Sequence, residues 1–156
     1  MARQVIDVAA SAPVVRSAVD AFDALSDVEG LLAALQRKAP LTVERLSGSG
    51  ALRVGDKWRV TADTSRLGQR KGVVEIAALD RPGRIAFSGK GSGFRTETEL
   101  VIIPTDAAAC RIDARSRLIA DSMRARLAAP FIRLYRGRIE RGFQKLLTRA
   151  ARRIET

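Results

Sequence analysis

Two periods divide this chain. From about residue 41 to 119, apolar and polar positions alternate in twos; before and after that stretch, apolar residues recur at helical spacing. Lys57-Trp58-Arg59-Val60-Thr61-Ala62-Asp63-Thr64 is the cleanest alternation and predicts a half-buried antiparallel strand. Residues 70–79 and 84–91 predict a strand pair joined by Asp80-Arg81-Pro82-Gly83, which suits a turn with proline at its second position and glycine at its third. Residues 94–102 and 110–118 alternate again. Their even positions are apolar or small and uncharged, their odd ones mostly charged. A sheet with one wet face and one face toward a core follows.

The flanking segments read differently. Residues 3–9 predict a short strand. Ser11-Ala12-Pro13 then suits a helix start, proline being well tolerated in the first turn. Val15, Ala18, Val19, Phe22 and Leu25 follow at helical spacing. Ser26-Asp27-Val28-Glu29 matches a capping box, the Ser26 hydroxyl and Glu29 carboxylate serving each other's backbone amides. The second helix carries Val28, Leu31, Leu32 and Leu35, and Pro40 closes it. At the far end, Phe131, Ile132, Tyr135, Ile139, Phe143, Leu146, Leu147, Ala150 and Ile154 share an arc of about 160° at 100° per residue. Arg138, Arg141, Lys145 and Arg152 lie opposite. Pro130 either begins this helix or kinks one that starts near Ser122. From Pro130 to Ile154 it would run roughly 37 Å, long enough to cover a sheet. With no internal repeat or linker, the order predicts one α+β domain over residues 1–156.

Composition narrows the chemistry. The chain has 156 residues, 46% apolar and 29% charged, without an apolar run long enough to span a bilayer. Asp7 interrupts the N-terminus where a signal peptide needs its apolar stretch, so the expected location is cytoplasmic. There is no histidine and one cysteine, Cys110, which removes histidine general bases, histidine-based triads and multi-cysteine metal sites. Neither a metal nor another cofactor is expected. The net charge is +11, concentrated at the end: residues 121–156 hold ten basic and three acidic side chains, a surplus of seven. Of the 28 basic residues 23 are arginine, a skew that GC-rich codon usage also produces. With one Trp and one Tyr the chain is poor in stacking platforms, and specific nucleic-acid binding is not expected.

Three phrases carry a resemblance. Leu25-Ser26-Asp27-Val28-Glu29 after Ser11-Ala12-Pro13, Val54-Gly55-Asp56-Lys57-Trp58, and Leu79-Asp80-Arg81-Pro82-Gly83-Arg84-Ile85 resemble, in this order, motifs of the START-like, Bet v 1-like and polyketide cyclase/dehydrase-like superfamily. The resemblance spans nearly the whole chain. It implies a helix-grip fold: a curved antiparallel sheet, two short helices after the first strand, and a long C-terminal helix over the concave face. It also implies a cavity for lipids, quinones or polyketide-like molecules, and some members are cyclases.

On that reading, strand parity makes Trp58, Phe87, Phe94, Thr96, Thr98, Ser116 and Leu118 candidate ligand contacts from the sheet, and Leu127, Phe131 and Tyr135 from the helix. A dry interdigitated core is the competing reading of the same stripe. Small and hydroxyl residues at inward positions (Gly89, Gly91, Thr96, Thr98, Ala114 and Ser116) favour a cavity. Three functions stay open: a carrier of an apolar small molecule, a cyclase- or dehydratase-like enzyme with Tyr135 as acid, and an accessory factor docking on anionic membrane or protein through the basic helix. No catalytic constellation is legible.

Overall fold

The computed structural model describes residues 3–36, 41–48, 50–64 and 68–156. Its elements run β1 (Arg3–Val14), α1 (Ala18–Ser26), α2 (Val28–Gln36), β2 (Leu41–Arg45), β3 (Lys57–Thr64), β4 (Gly68–Asp80), β5 (Arg84–Gly91), β6 (Phe94–Asp106), β7 (Ala109–Ala120), α3 (Met123–Leu134) and α4 (Arg136–Glu155). All seven strands join one curved antiparallel sheet in the order β1-β7-β6-β5-β4-β3-β2. Sequential hairpins build the middle of it, while the first strand closes against the last. This is the helix-grip architecture that the alternation and the long amphipathic end imply.

Register confirms the parity. Phe87 pairs with Thr98, Thr98 with Ser116, and Ser116 with Val8, so these side chains share one face. Leu100, Ala114 and Ala10 form the next row, and Ile102, Ile112 and Ala12 the one after. That face is the core side, where Ile85, Ile112 and Ala114 are buried against Phe22 and Leu25 of α1 and Leu147 and Ala151 of α4. Extra residues in β1, β4 and β6 bend the sheet.

Four local expectations change. Ser11-Ala12-Pro13 does not start a helix: β1 continues to Val14, and α1 begins at Ala18 with the Ser17 hydroxyl accepting from the Asp20 N–H. Val8, Ala10, Ala12 and Val14 alternate as buried strand positions, and Pro13 is tolerable because β1 is an edge strand. The capping box is replaced by an Asp27 cap: Asp27 Oδ1 accepts from the Gly30 N–H, Ser26 Oγ donates to the Phe22 carbonyl, and Glu29 turns to Arg45. In the β4–β5 turn, Gly83 N–H donates to Asp80 O, which puts Pro82 at the third position, after a cis peptide bond. Finally, of the two readings of Pro130, the helix that starts near Ser122 is the one observed, with Ser122 Oγ accepting from the Ala125 N–H, and Pro130 does not break it. It sits inside α3, on an exposed side where water can replace the missing donor, and the break falls at Tyr135. The expected closure of α2 by Pro40 lies outside the described residues.

The C-terminal helices are fastened along the free edge of β1. Arg133 donates to Val5 O and Gln4 O, and Arg136 to Asp7 O. Glu140 Oε2 accepts from Ala9 N–H, and Gln144 both accepts from Ser11 N–H (3.1 Å) and donates to Ser11 O (2.8 Å). Four helical residues rise about 6 Å and two strand residues about 6.6 Å, so the two ladders stay in step over these rungs. The next rung would be Pro13, which has no N–H to offer. There Thr148 turns back and donates to Gln144 O instead. Glu155 then accepts from Val15 N–H.

Candidate functional site

An edge-mounted helix leaves part of the concave face uncovered, and a cavity of about 410 Å³ opens there. Leu25, Val28 and Leu31 of α1 and α2 form one wall. Val74, Phe87, Leu100 and Ala114 form the floor, and Phe143, Leu146, Leu147 and Ala150 of α4 the other wall. Local sequence explains each wall. The α1 and α2 stripes point inward because Ser17 and Asp27 set their starts, and α4 is held in rotation by its rungs on β1. The described polar side chains at the lining are Arg149 and Arg153, both at the α4 rim.

A second, shallower groove of about 280 Å³ lies farther along the same face and shares Val74 with the first. Val60, Gly72, Gly89, Gly91, Phe94 and Thr96 line it. Glycine is required there by close approach: a Cβ on Gly89 would run into Thr96 Oγ1, and one on Gly91 would lie 2.6 Å from the Lys71 carbonyl oxygen.

The ten sequence candidates separate into groups. Phe87 lines the main cavity, and Phe94 and Thr96 line the second groove. Thr98 and Ser116 share a hydrogen bond of 2.9 Å across β6 and β7, half-buried on the concave face. Leu118 packs with Phe94 beside Ala120 and Ala125. Trp58 is 1% exposed and packs behind Val28 with Ile76, not among the residues that line the main cavity; it anchors α2 and reaches a separate pocket of about 340 Å³. Leu127, Phe131 and Tyr135 do not cover the concave face in this structure, as the sequence pattern led us to expect: they are 70%, 68% and 57% exposed. The reason is rotational. Ala125 and Ala129 take the buried side of α3, and Leu127 and Phe131 stand about 200–240° around the helix from Ala125.

Pattern reasoning missed other contributors. Leu31, Phe143 and Leu146 line the cavity, and all three stood in predicted apolar stripes, while Leu100 lies on the inward face that the alternation of 94–102 predicts. It also missed the latch on α2. Arg45 reaches Glu29 at 2.9 Å and the buried Asp56 at 3.0 Å, while its guanidinium carbon lies 5.4 Å from the Trp58 ring centroid. Asp56 also accepts from the Arg53 N–H. No sequence period relates these four residues, so the signal was absent.

Electrostatics separates the two faces of the sheet. On the convex side Asp7 and Arg115 pair at 2.8 Å, and hydrogen bonds from Arg115 hold the Asp7 carboxyl below its usual range against an opposing desolvation. Arg111 does the same for Asp113, with Ser11 assisting. On the core side Cys110 is 2% exposed, and burial pushes its thiol up, away from the thiolate a nucleophile needs. Among the described residues no cluster of metal-ligating side chains forms, and no helix is long and apolar enough to cross a membrane.

No family model and no curated protein matches the chain. Solved structures do. A truncated norcoclaurine synthase from Thalictrum flavum superposes with a TM-score of 0.70 at 16% identity, covering 96% of this chain and 92% of that one. A protein from Thermus thermophilus gives 0.68 at 17%, covering 96% and 97%. A START superfamily protein from Mycobacterium smegmatis gives 0.66 at 14%, covering 95% and 98%. The fold is therefore START/Bet v 1-like, as the three sequence phrases suggest.

Proposed function

We propose, on this fold, that the protein binds an apolar small molecule in the 410 Å³ cavity between the sheet, α1, α2 and α4. The observation that carries this is the lining: eleven of its thirteen residues are apolar, in a space within the usual range of small-molecule sites. Phe87 remains a candidate contact from the sequence reading, joined by Leu31, Leu100, Phe143 and Leu146. Thr98 and Ser116 hydrogen-bond to each other on the same sheet face, one row from Leu100 and Ala114, and do not line the cavity.

The test is uptake of a neutral environment-sensitive dye such as Nile red. Ala150→Trp fills the cavity from α4 while keeping the buried Leu147 and Ala151 as they are, and Phe87→Asp places a charge on its floor. Both should weaken uptake by about tenfold or more, a loss of about 1.4 kcal/mol. Unchanged uptake in a folded Ala150→Trp variant would remove the cavity as the site.

A second observation supports peripheral contact with anionic membrane. Met123, Leu127, Phe131 and Leu134 form an apolar face on α3 opposite its buried side, each at least 68% exposed. By helical rotation Arg124 and Arg126 flank that face. On α4 the acidic side chains Glu140 and Glu155 are turned to the β1 edge, leaving Arg138, Arg141, Lys145 and Arg152 on the solvent side. The protein should therefore sediment with phosphatidylserine-containing vesicles and not with pure phosphatidylcholine. Phe131→Asp or charge reversal at Arg138, Arg141 and Lys145 should release it; a wild-type protein that stays in the supernatant would end this reading.

A further inference from the structure

The cavity's charge is of one sign and sits at one end. Arg149 and Arg153 are one helical turn apart on α4, beside Leu146 and Ala150, and line the rim of an otherwise apolar space. The acids nearby are committed elsewhere. Asp23 holds Arg81 at 3.0 Å, and Glu29 holds Arg45 at 2.9 Å. Asp27 approaches Arg153 at only 3.7 Å, longer than a close charge-assisted hydrogen bond, and its other oxygen caps α2 through Gly30. Arg149 forms neither a hydrogen bond nor an ion pair with a described residue. The two acids of α4 face the other way, onto β1.

We propose that the natural ligand is an amphipathic anion, with an alkyl or aryl body in the cavity and a carboxylate or phosphate between Arg149 and Arg153. The inference rests on the cavity reading above and adds the ligand's chemical class and orientation. A planar guanidinium offers paired donors that match the oxygens of either head group, and an apolar wall beside it lowers the local screening. A neutral ligand of the same length would leave both cations at the mouth with only Asp27 for company. A cationic one would meet repulsion.

Four probes with one twelve-carbon tail test this: dodecanoate, dodecyl phosphate, dodecanol and dodecylammonium, each competing with the neutral dye. The wild-type protein should bind the two anions about tenfold or more tightly than the alcohol, and the amine most weakly. Arg149→Gln/Arg153→Gln should bring the anion-to-alcohol affinity ratio down to about one, with dye uptake followed in parallel to show that the cavity still forms. A preference for dodecanoate alone, or for dodecyl phosphate alone, names the head group. Equal affinity for alcohol and anions in the wild-type protein, or a preference that survives the double substitution, overturns the inference and leaves the cavity standing. Failure of all four probes and of the dye itself rejects the cavity, and the inference with it.

Discussion

Gln144→Ala tests how the cavity wall is held. Gln144 makes two hydrogen bonds to the backbone of Ser11, accepting at 3.1 Å and donating at 2.8 Å, so one side chain acts on β1 much as a neighbouring strand would. Each bond is at the surface, where water competes, and a net value of about 0.5–1 kcal/mol per bond is appropriate. Alanine is also a slightly better helix former, which returns a few tenths of a kcal/mol. The expected loss is about 1 kcal/mol, or about 2–4 °C in thermal midpoint for a domain of this size. Urea unfolding followed by circular dichroism gives the free energy, and amide exchange at Ser11 gives the local effect. Gln144→Glu keeps the acceptor for Ser11 N–H, as Glu140 does for Ala9, and should lose about half as much. Because Phe143, Leu146 and Leu147 of the same helix line the cavity, dye affinity should fall with the rung. A Gln144→Ala variant of unaltered stability, with Ser11 protected as before, would show that apolar packing alone seats the helix.

Other consequences follow from the same structure. Gly91→Ala presses a Cβ against the Lys71 carbonyl and should cost about 1–3 kcal/mol, whereas Gly142→Ala, with open space around it on α4, should gain up to about 1 kcal/mol; equal unfolding free energies for the two would contradict the geometry. Asp7 has a folded pKa below its unfolded one, so its contribution is present above about pH 4 and fades as pH falls through the folded value. Asp7→Asn should therefore lose less stability than wild type on acidification from pH 5 to pH 2, and parallel curves in denaturant titrations would refute the pairing as a stabiliser. Arg45→Ala strands the buried Asp56 carboxylate and frees Glu29, at a cost of about 2 kcal/mol. The Trp58 emission should shift to the red as α2 loosens, and an unchanged spectrum with unchanged stability would show that the latch is idle.

The sheet was legible because each strand keeps one face wet. Lys57–Thr64 and Arg84–Gly91 end where the alternation ends, and the parity that grouped Phe87, Thr98 and Ser116 is the register observed. The first strand was misread at Pro13, where a proline that suits a helix start outweighed the alternation of Val8, Ala10, Ala12 and Val14 that runs straight through it. An edge strand tolerates such a proline, and local pattern does not say which strand is at an edge. On α4 the apolar arc ends at Leu147, and Glu140 and Gln144 lie just past that edge, about 20° and 60° beyond it. Two polar residues bordering the apolar face, on the flank away from the arginines, were the sign that the helix serves a backbone edge as well as a core. The cavity itself was only half legible. Its floor follows from parity, while its helical wall depends on the rotation that those rungs impose on α4; on α3 the burial of Ala125 and Ala129 turns Leu127 and Phe131 to solvent.

The helix on β1 also limits how the sheets of two copies can meet edge to edge. An open sheet normally has two borders, and each can accept a strand from another chain; end-to-end ribbons need both. Here one border is taken by Arg133, Arg136, Glu140, Gln144 and Glu155, and Pro13 offers no donor on it. The border that is left is β2, five residues from Leu41 to Arg45. Two molecules can join across it back to back, and the pair then has no border left to extend: strand addition in this protein ends at two.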